Sequence, residues 1–431
     1  MGGGGVKILV ISNLYPPDAL GGYEMGCRQV VDRLRANGHD VRVLTTAPRT
    51  PVISPPHVHR KLRLTDMWVD YHITRSATVT QLLDESESHR ISSFNVHALL
   101  HELKDFEPDV AYVWMLTGIG GLGLMAALHH LRVPWVWHLM DDVPATLCQL
   151  GNQVVPELAQ EIERQLRGHV IACSQQLVDE IERRGIRLQG EVEVIPNWVS
   201  GEIPPVRSEF YAGGRDLRIV ASAAHIDRCY DKGMDLLIKA AAQLRDQGLE
   251  GFTLDIYGRV NDGYYADLIK TYHLTNLVRL RGSLKQSELI AAYQHYDLFA
   301  FPARLKEPCA FAPLEAAPSG CVTLMSQISG NSEWLVHGVH CLKVPRTADG
   351  FAFMLGEILQ GRIELAPIGR RGAMAVRRDF HLDSLLPRIE RILGRIAQQD
   401  RSGAGTSDEV YRLALLAEKL NSVLLQEPYC A

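Results

Sequence analysis

The feature that most restricts the fold of this chain is a repeated order: an apolar run of strand length, a turn bearing glycine or proline, then a stretch with helical periodicity. Val6 to Ser12 reads V-K-I-L-V-I-S, as a strand covered on both faces of a parallel sheet requires. The turn Asn13 to Tyr23 (N-L-Y-P-P-D-A-L-G-G-Y) follows. Cys27, Val30, Val31 and Leu34 then recur at i, i+3, i+4 and i+7, which predicts a helix stopped by Gly38, and Val41 to Thr45 is the next strand. The same order restarts at Leu217 to Ala223, with Leu237, Ala240, Ala241 and Leu244 on one helical face behind it. Two such series in 431 residues imply two Rossmann-like parallel-sheet domains of the α/β class.

In the first series, Val110 to Leu116, Pro134 to Met140 and Val170 to Ser174 read as further strands, and Ser174 is placed to cap a helix over Gln175 to Arg184. Val192 to Asn197 closes the first domain, and Gly201 to Gly214, with Pro204-Pro205 and Gly213-Gly214, reads as a linker. The expected division is residues 1–200, residues 201–396, and a helical extension over residues 397–431. One of the late helical runs, Leu386 to Ile396 or Ser407 to Leu425, is a candidate to cross back to the first domain.

Composition narrows the class of partner. Apolar content of 46% and charged content of 22% are those of an ordinary globular protein, and a formal charge of −5 gives no reason to expect nucleic acid. The eight cysteines show no C-x-x-C and no zinc spacing, so they read as buried residues of a reducing, cytoplasmic compartment. The most apolar stretch, Gly118 to Leu131, is too short to span a bilayer. Gly2 to Gly5 lacks the Ser or Thr at position 6 that myristoylation needs and reads as a flexible leader.

Chemistry concentrates in Glu307 to Glu315, E-P-C-A-F-A-P-L-E, where two carboxylates stand eight positions apart after the strand-like run Leu298 to Phe301. If Ala312 to Ala317 is helical, the amides of Ala310, Phe311 and Ala312 form a partly positive terminus suited to phosphate. Glu307 would then reach a sugar hydroxyl and Glu315 the hydroxyls of a ribose, because carboxylates are strong acceptors for such donors. Two solvated glutamates explain the spacing equally well. Gly21-Gly22 before the first helix leaves backbone amides open to a charged ligand, and Arg228 and Lys232, on the loop after Leu217 to Ala223, offer cations for a diphosphate.

The stretch from Glu307 through A-A-P-S-G-C-V-T-L-M-S (Ala316 to Ser326) and G-N-S-E (Gly330 to Glu333) resembles the GT4 family of retaining, nucleotide-sugar-dependent glycosyltransferases. The resemblance runs from about Val6 to about Pro345. It implies the GT-B fold, two Rossmann-like domains facing a central cleft, and transfer of a sugar from a nucleoside diphosphate sugar to an acceptor hydroxyl with its anomeric configuration kept. It implies no metal or other cofactor. P-P-x-x-x-G-G-x-E (Pro16 to Glu24) matches the loop that faces the donor diphosphate, His138 matches a histidine close to the reacting sugar, and Lys232 matches the family's Lys-Gly. The loop carrying Leu284 would lie against the base. Two departures stand out: Cys309-Ala310 replaces Phe-Gly, and Ala224-His225 replaces Gly-Arg, leaving His225 or Arg228 to do the arginine's work.

Two motifs point elsewhere. Gly118-Ile119-Gly120-Gly121-Leu122-Gly123 fits G-x-G-x-x-G, but strands precede it, and a crowded strand-to-helix junction explains it without a dinucleotide. Asp141-Asp142 suggests a metal carboxylate pair, yet no third ligand is evident. Lys61, Arg63, Trp68, Tyr71 and Arg75 mix basic and aromatic residues, which suits a solvated loop or peripheral contact with the inner face of a membrane. The acceptor is left as a glycan, a lipid-linked molecule or a small molecule. An epimerase or phosphorylase on the same architecture, and a catalytically silent nucleotide-sugar-binding protein, are the competing readings.

Overall fold

The computed structural model describes residues 5–19, 21–48, 51–64, 90–150, 153–165, 168–188, 190–226, 232–260, 263–303 and 307–424. The chain divides into two compact units, Met1–Ile195 with Leu386–Ala431, and Pro196–Leu385.

The first unit runs β1 (Lys7–Ile11), α1 (Gly22–Ala36), β2 (Asp40–Thr46), β3 (Val58–Leu62), α2 (Ser93–Phe106), β4 (Val110–Val113), α3 (Gly121–His130), β5 (Trp135–Leu139) and α4 (Val143–Leu147). A short hairpin follows, β6 (Gln149–Leu150) and β7 (Gln153–Val154), then α5 (Pro156–Gln165), β8 (His169–Ala172), α6 (Gln175–Arg183) and β9 (Glu191–Val194). Its sheet is ordered β3-β2-β1-β4-β5-β8-β9 with every pairing parallel. β4, β5 and β8 are buried along their whole length, which is why their sequences are continuous apolar runs. Ser174 Oγ accepts from Leu177 N–H at 3.1 Å and starts α6 as its sequence predicts.

The glycine run before α3 has a packing cause. Gly120 has φ +72°, and a Cβ there would stand 2.3 Å from the Ser92 nitrogen; one on Gly123 would stand 2.7 Å from Ile91 Cγ1. The start of α3 lies against residues 91 and 92, so side chains are excluded for reasons of space.

The second unit runs β10 (Leu217–His225), α7 (Met234–Asp246), β11 (Phe252–Arg259), α8 (Tyr264–Thr271), β12 (Val278–Gly282), α9 (Gln286–Tyr293), β13 (Leu298–Phe301), α10 (Phe311–Ala316), β14 (Val322–Ser326), α11 (Asn331–Trp334), β15 (Leu342–Val344), α12 (Ala348–Leu359) and α13 (Leu365–Asp379). Its sheet is ordered β12-β11-β10-β13-β14-β15, again parallel throughout. Leu237, Ala240, Ala241 and Leu244 of α7 are all buried in its core.

The expected linker is not a free tether. Arg207 N–H donates to Ser319 C=O at 3.0 Å, and a Cβ on Gly369 would meet Phe210 Cε1 at 2.5 Å, so residues 207–210 are packed into the second unit. The division falls at Ile195, ahead of that segment. α14 (Leu382–Ile396) begins in the second unit and ends in the first, and α15 (Ser407–Leu424) lies against α2 and α3, with the Tyr411 ring 5.1 Å from that of His97. The tail belongs to the first unit. Among the described residues, no helix is long and apolar enough to cross a membrane.

Candidate active site

In the second sheet β10 has β11 on one side and β13 on the other, so the strand order reverses between β10 and β13. An open α/β sheet forms a crevice at the C-terminal ends of such a pair. The loop after β10 delivers Lys232, and Gly233, with φ +70°, turns the chain from it into α7. The loop after β13 delivers Glu307. The two meet: Lys232 Nζ donates to Glu307 Oε1, with 31% and 19% of their side chains exposed. Separated by 75 positions in sequence, they form one accessible ion pair at the switch point.

Glu315 is the fifth of the six residues of α10, and Gln286, the first residue of α9, donates through Nε2 to its Oε1. Burial raises the Glu315 pKa above the usual carboxylate range, and the Gln286 hydrogen bond only partly opposes it. α9 is held to the sheet at its other end, where Tyr293 Oη and Ser222 Oγ lie 2.8 Å apart. Leu284, in the loop between β12 and α9, is exposed.

Ala310 has φ −66° and ψ 141°, an ordinary extended conformation, so alanine is tolerated where the family pattern has glycine. Its amide is not available to a phosphate as the sequence suggests. Ala310 N–H donates to Asn331 Oδ1 at 2.9 Å, which leaves Phe311 and Ala312 to supply the opening N–H groups of α10. His225 ends β10, level with Arg259 of β11, and Arg228 lies outside the described residues.

In the first unit, Gly21 precedes α1 and its N–H donates to Glu24 Oε2 at 3.1 Å; Gly22 is the first helical residue. The space around Gly21 is open, since a Cβ there would meet nothing within 4 Å. His138 departs from expectation. It is a core residue of β5 with 0% of its surface exposed, its ring stacked on Trp114 at 4.5 Å and its Nδ1 2.6 Å from Tyr112 Oη. Burial lowers its pKa to about 3. The side chain points among the aromatic residues of the sheet, and the sequence position near the strand end did not reveal which way it faces. Of the pair Asp141-Asp142, Asp142 is engaged by Arg184. Trp68, Tyr71 and Arg75 lie outside the described residues, while Lys61 pairs with Glu102 and the Arg63 guanidinium sits 3.6 Å from the centre of the Phe94 ring.

Residues 216–373 match the family model "Glycosyl transferases group 1", and residues 21–198 match "Glycosyl transferase 4-like domain". A glycogen synthase of Mycobacterium tuberculosis (strain CDC 1551 / Oshkosh) is 25% identical over 374 residues, covering 82% of this chain and 86% of that protein. The chain belongs to the GT4-type glycosyltransferases. Among solved structures, sucrose-phosphate synthase from Thermosynechococcus elongatus superposes on this glycosyltransferase with a TM-score of 0.68 and 18% identity, covering 90% of this chain and 98% of that one. Anabaena HepE in complex with UDP and glucose does so with a TM-score of 0.63 and 17% identity, covering 90% and 100%. These likenesses are of fold, GT-B, with a Rossmann-like sheet in each unit.

Three side chains around the site have no signal in spacing or composition. Gln286 holds Glu315, while Asn331 and Asn197 hold the loop that carries Glu307. Asn331 sits inside G-N-S-E, the one hint the sequence offered.

Proposed function

We propose that this glycosyltransferase moves a sugar from a nucleoside diphosphate sugar to an acceptor hydroxyl, with retention of anomeric configuration and without a metal ion. The observation that carries the reading is the Lys232–Glu307 pair at the switch point of the second sheet, with Glu315 eight positions further along the chain. HepE, which shares the fold, was solved with UDP and glucose, and that supports a donor of this class.

The hard step is departure of the nucleoside diphosphate as positive charge develops on the sugar. Lys232, helped by His225 or Arg228, would neutralise the leaving phosphates, and the amides of Phe311 and Ala312 would add partial positive charge. Glu307, released from Lys232 by the donor, would accept from a sugar hydroxyl, and Glu315 from the ribose. The leaving phosphate takes the acceptor's proton on the face it vacates, so the new bond forms on the side of the old one. His138 has no contact role in this scheme.

The acceptor is a hydroxyl compound, whether glycan, lipid-linked or small. Buried cysteines at Cys27, Cys148, Cys173, Cys309, Cys321 and Cys341, none of them in a disulfide, are in keeping with a cytoplasmic setting. Peripheral contact with the inner membrane face is the weakest element, because Lys61 and Arg63 are already used inside the first unit.

The deciding experiment is a thermal-shift panel of nucleoside diphosphates and their sugars, followed by mass spectrometry of products with candidate acceptors. One donor is expected to stabilise the protein and to give a product heavier by one sugar. Stabilisation by no member of the panel would end the proposal.

A further inference from the structure

We infer that Asn331 is a positioning residue which, together with Asn197, locks the backbone of residues 307–310 and thereby fixes where the Glu307 carboxylate and the start of α10 stand. The inference rests on the role given to Glu307 above. Asn331 is fully buried, and its amide group is used to capacity. Its Oδ1 accepts from Ala310 N–H at 2.9 Å and from Ser329 Oγ at 3.0 Å. Its Nδ2 donates to Ala310 C=O at 2.9 Å and lies 3.6 Å from Cys309 Sγ. A side-chain amide has two donors and two acceptor lone pairs, so nothing is left over for another partner.

The neighbouring bonds complete the clamp. Gly330 N–H donates to Glu307 C=O at 2.8 Å, and from elsewhere in the second unit Asn197 Nδ2 donates to Cys309 C=O at 2.5 Å. Trp198 adds an edge-on ring contact to Phe311 at 6.0 Å. The carbonyls of Glu307 and Cys309 and both polar groups of Ala310 are therefore held, although residues 307–310 belong to no helix or strand. Buried backbone groups need partners, and here side chains supply them where a regular ladder would elsewhere. A carboxylate that must meet one hydroxyl of a bound sugar has to be placed within about 0.5 Å, and side-chain amides on the adjoining loop provide that placement.

The test uses the full chain and has two readouts. Hydrogen–deuterium exchange of the peptide over residues 307–312 reads the clamp itself, with no donor present. It is expected to be slow in the wild type and faster in Asn331→Ala and Asn197→Ala; equal exchange in all three overturns the inference. Steady-state kinetics with the selected donor read the consequence. Asn331→Ala is expected to lower kcat about a hundredfold, because displacing a reacting geometry by an ångström has that effect. Affinity for the nucleoside diphosphate without its sugar should fall far less. Asn331→Asp, which keeps both acceptor contacts but sets a second oxygen against Ala310 C=O, should lose kcat as Asn331→Ala does; equal loss of kcat and of nucleotide affinity in both variants would overturn the positioning role. Should Asn331→Ala fail to fold, Asn197→Ala, which removes a single bond, must show the same split in smaller measure. Protected exchange in a wild type that transfers from no donor would instead count against the function proposed above and leave the clamp standing.

Discussion

Lys232 donates through Nζ to Glu307 Oε1, each brought by the loop after one of the two strands at which the second sheet reverses its order. On the proposed reading a bound donor separates the pair, and its members should then answer differently to removal. Glu307→Ala frees Lys232 for phosphate, so affinity for the nucleoside diphosphate should hold or improve while turnover falls about a hundredfold. Lys232→Ala should weaken the nucleoside diphosphate itself. Calorimetry and steady-state kinetics check this, and parallel losses in both variants would show that the two residues do not divide phosphate from sugar.

Glu315 carries a cost in the folded protein that the ribose-binding role proposed for it would explain. Burial raises its pKa. In acid the carboxyl is protonated in both folded and unfolded chains and contributes no penalty. As pH rises through the raised native value, the folded state must hold a poorly solvated charge and stability falls. Glu315→Gln is therefore expected to melt higher than wild type at neutral pH, with the difference closing toward about pH 4. The same change should weaken nucleoside diphosphate binding about ten- to a hundredfold, the worth of a hydrogen bond to a charged acceptor. A variant less stable than wild type at pH 7 would contradict the argument.

His138 has the opposite sign. Its native pKa of about 3 lies below its unfolded value of 6.5, so between those limits the unfolded chain binds a proton the folded one refuses. Stability is complete above about pH 6.5 and declines as pH falls toward 3, by up to about 1.4 kcal/mol per pH unit. His138→Phe should flatten that acid limb and cost about 1–3 kcal/mol at neutral pH by orphaning the Tyr112 hydroxyl. The kcat of the folded variant should be close to wild type. A collapse of kcat with little change in stability would return His138 to the reaction.

In the proposed scheme Lys232, once separated from Glu307, and the amides at the start of α10 supply the positive charge that the leaving phosphates need. Transfer is accordingly expected to be undiminished in excess chelator. Activity that disappears with chelator and returns with added divalent cation would require a different account of the leaving group.

How far the sequence reveals this protein depends on the kind of pattern involved. Periodicity gives elements: α7 was legible from Leu237, Ala240, Ala241 and Leu244 because burial imposes that spacing. It missed α2, where the buried Asn95 and Glu102 interrupt the apolar face. Glu307, Glu315 and Lys232 stand out in the sequence because their segments carry the family's pattern, and the structure brings Lys232 to Glu307. Direction was not legible, since a histidine near a strand end faces core or solvent according to the register of strands far away, and His138 faces Trp114. Nor were Asn331 and Asn197, because a side chain that holds another loop's backbone leaves no regular trace. The tail was read as an extension, yet what decides its unit is a surface formed by α2 and α3.

A control away from the site follows from Asp297. It immediately precedes β13, at the end of that strand opposite Glu307, and is buried. Arg215 grips both its oxygens at 2.7 Å, Arg207 Nη1 lies 3.3 Å from Oδ1, and Arg218 N–H donates to Oδ2 at 3.0 Å. Burial alone would raise its pKa, but Arg215 and the Arg218 amide hold it below the usual range. The stability it supplies is present above its unfolded pKa of about 3.9 and is lost as pH falls through the native value. Asp297→Asn leaves guanidinium groups without their counter-charge, so a loss of about 3–5 kcal/mol is expected at neutral pH, narrowing in acid. Chemical denaturation across pH measures it. The residue sits at the strand end away from the phosphate-binding loops, so donor KM of the folded variant should not change. A raised KM with stability intact would mean that the two ends of β13 are coupled, and that Asp297 belongs to the donor site after all.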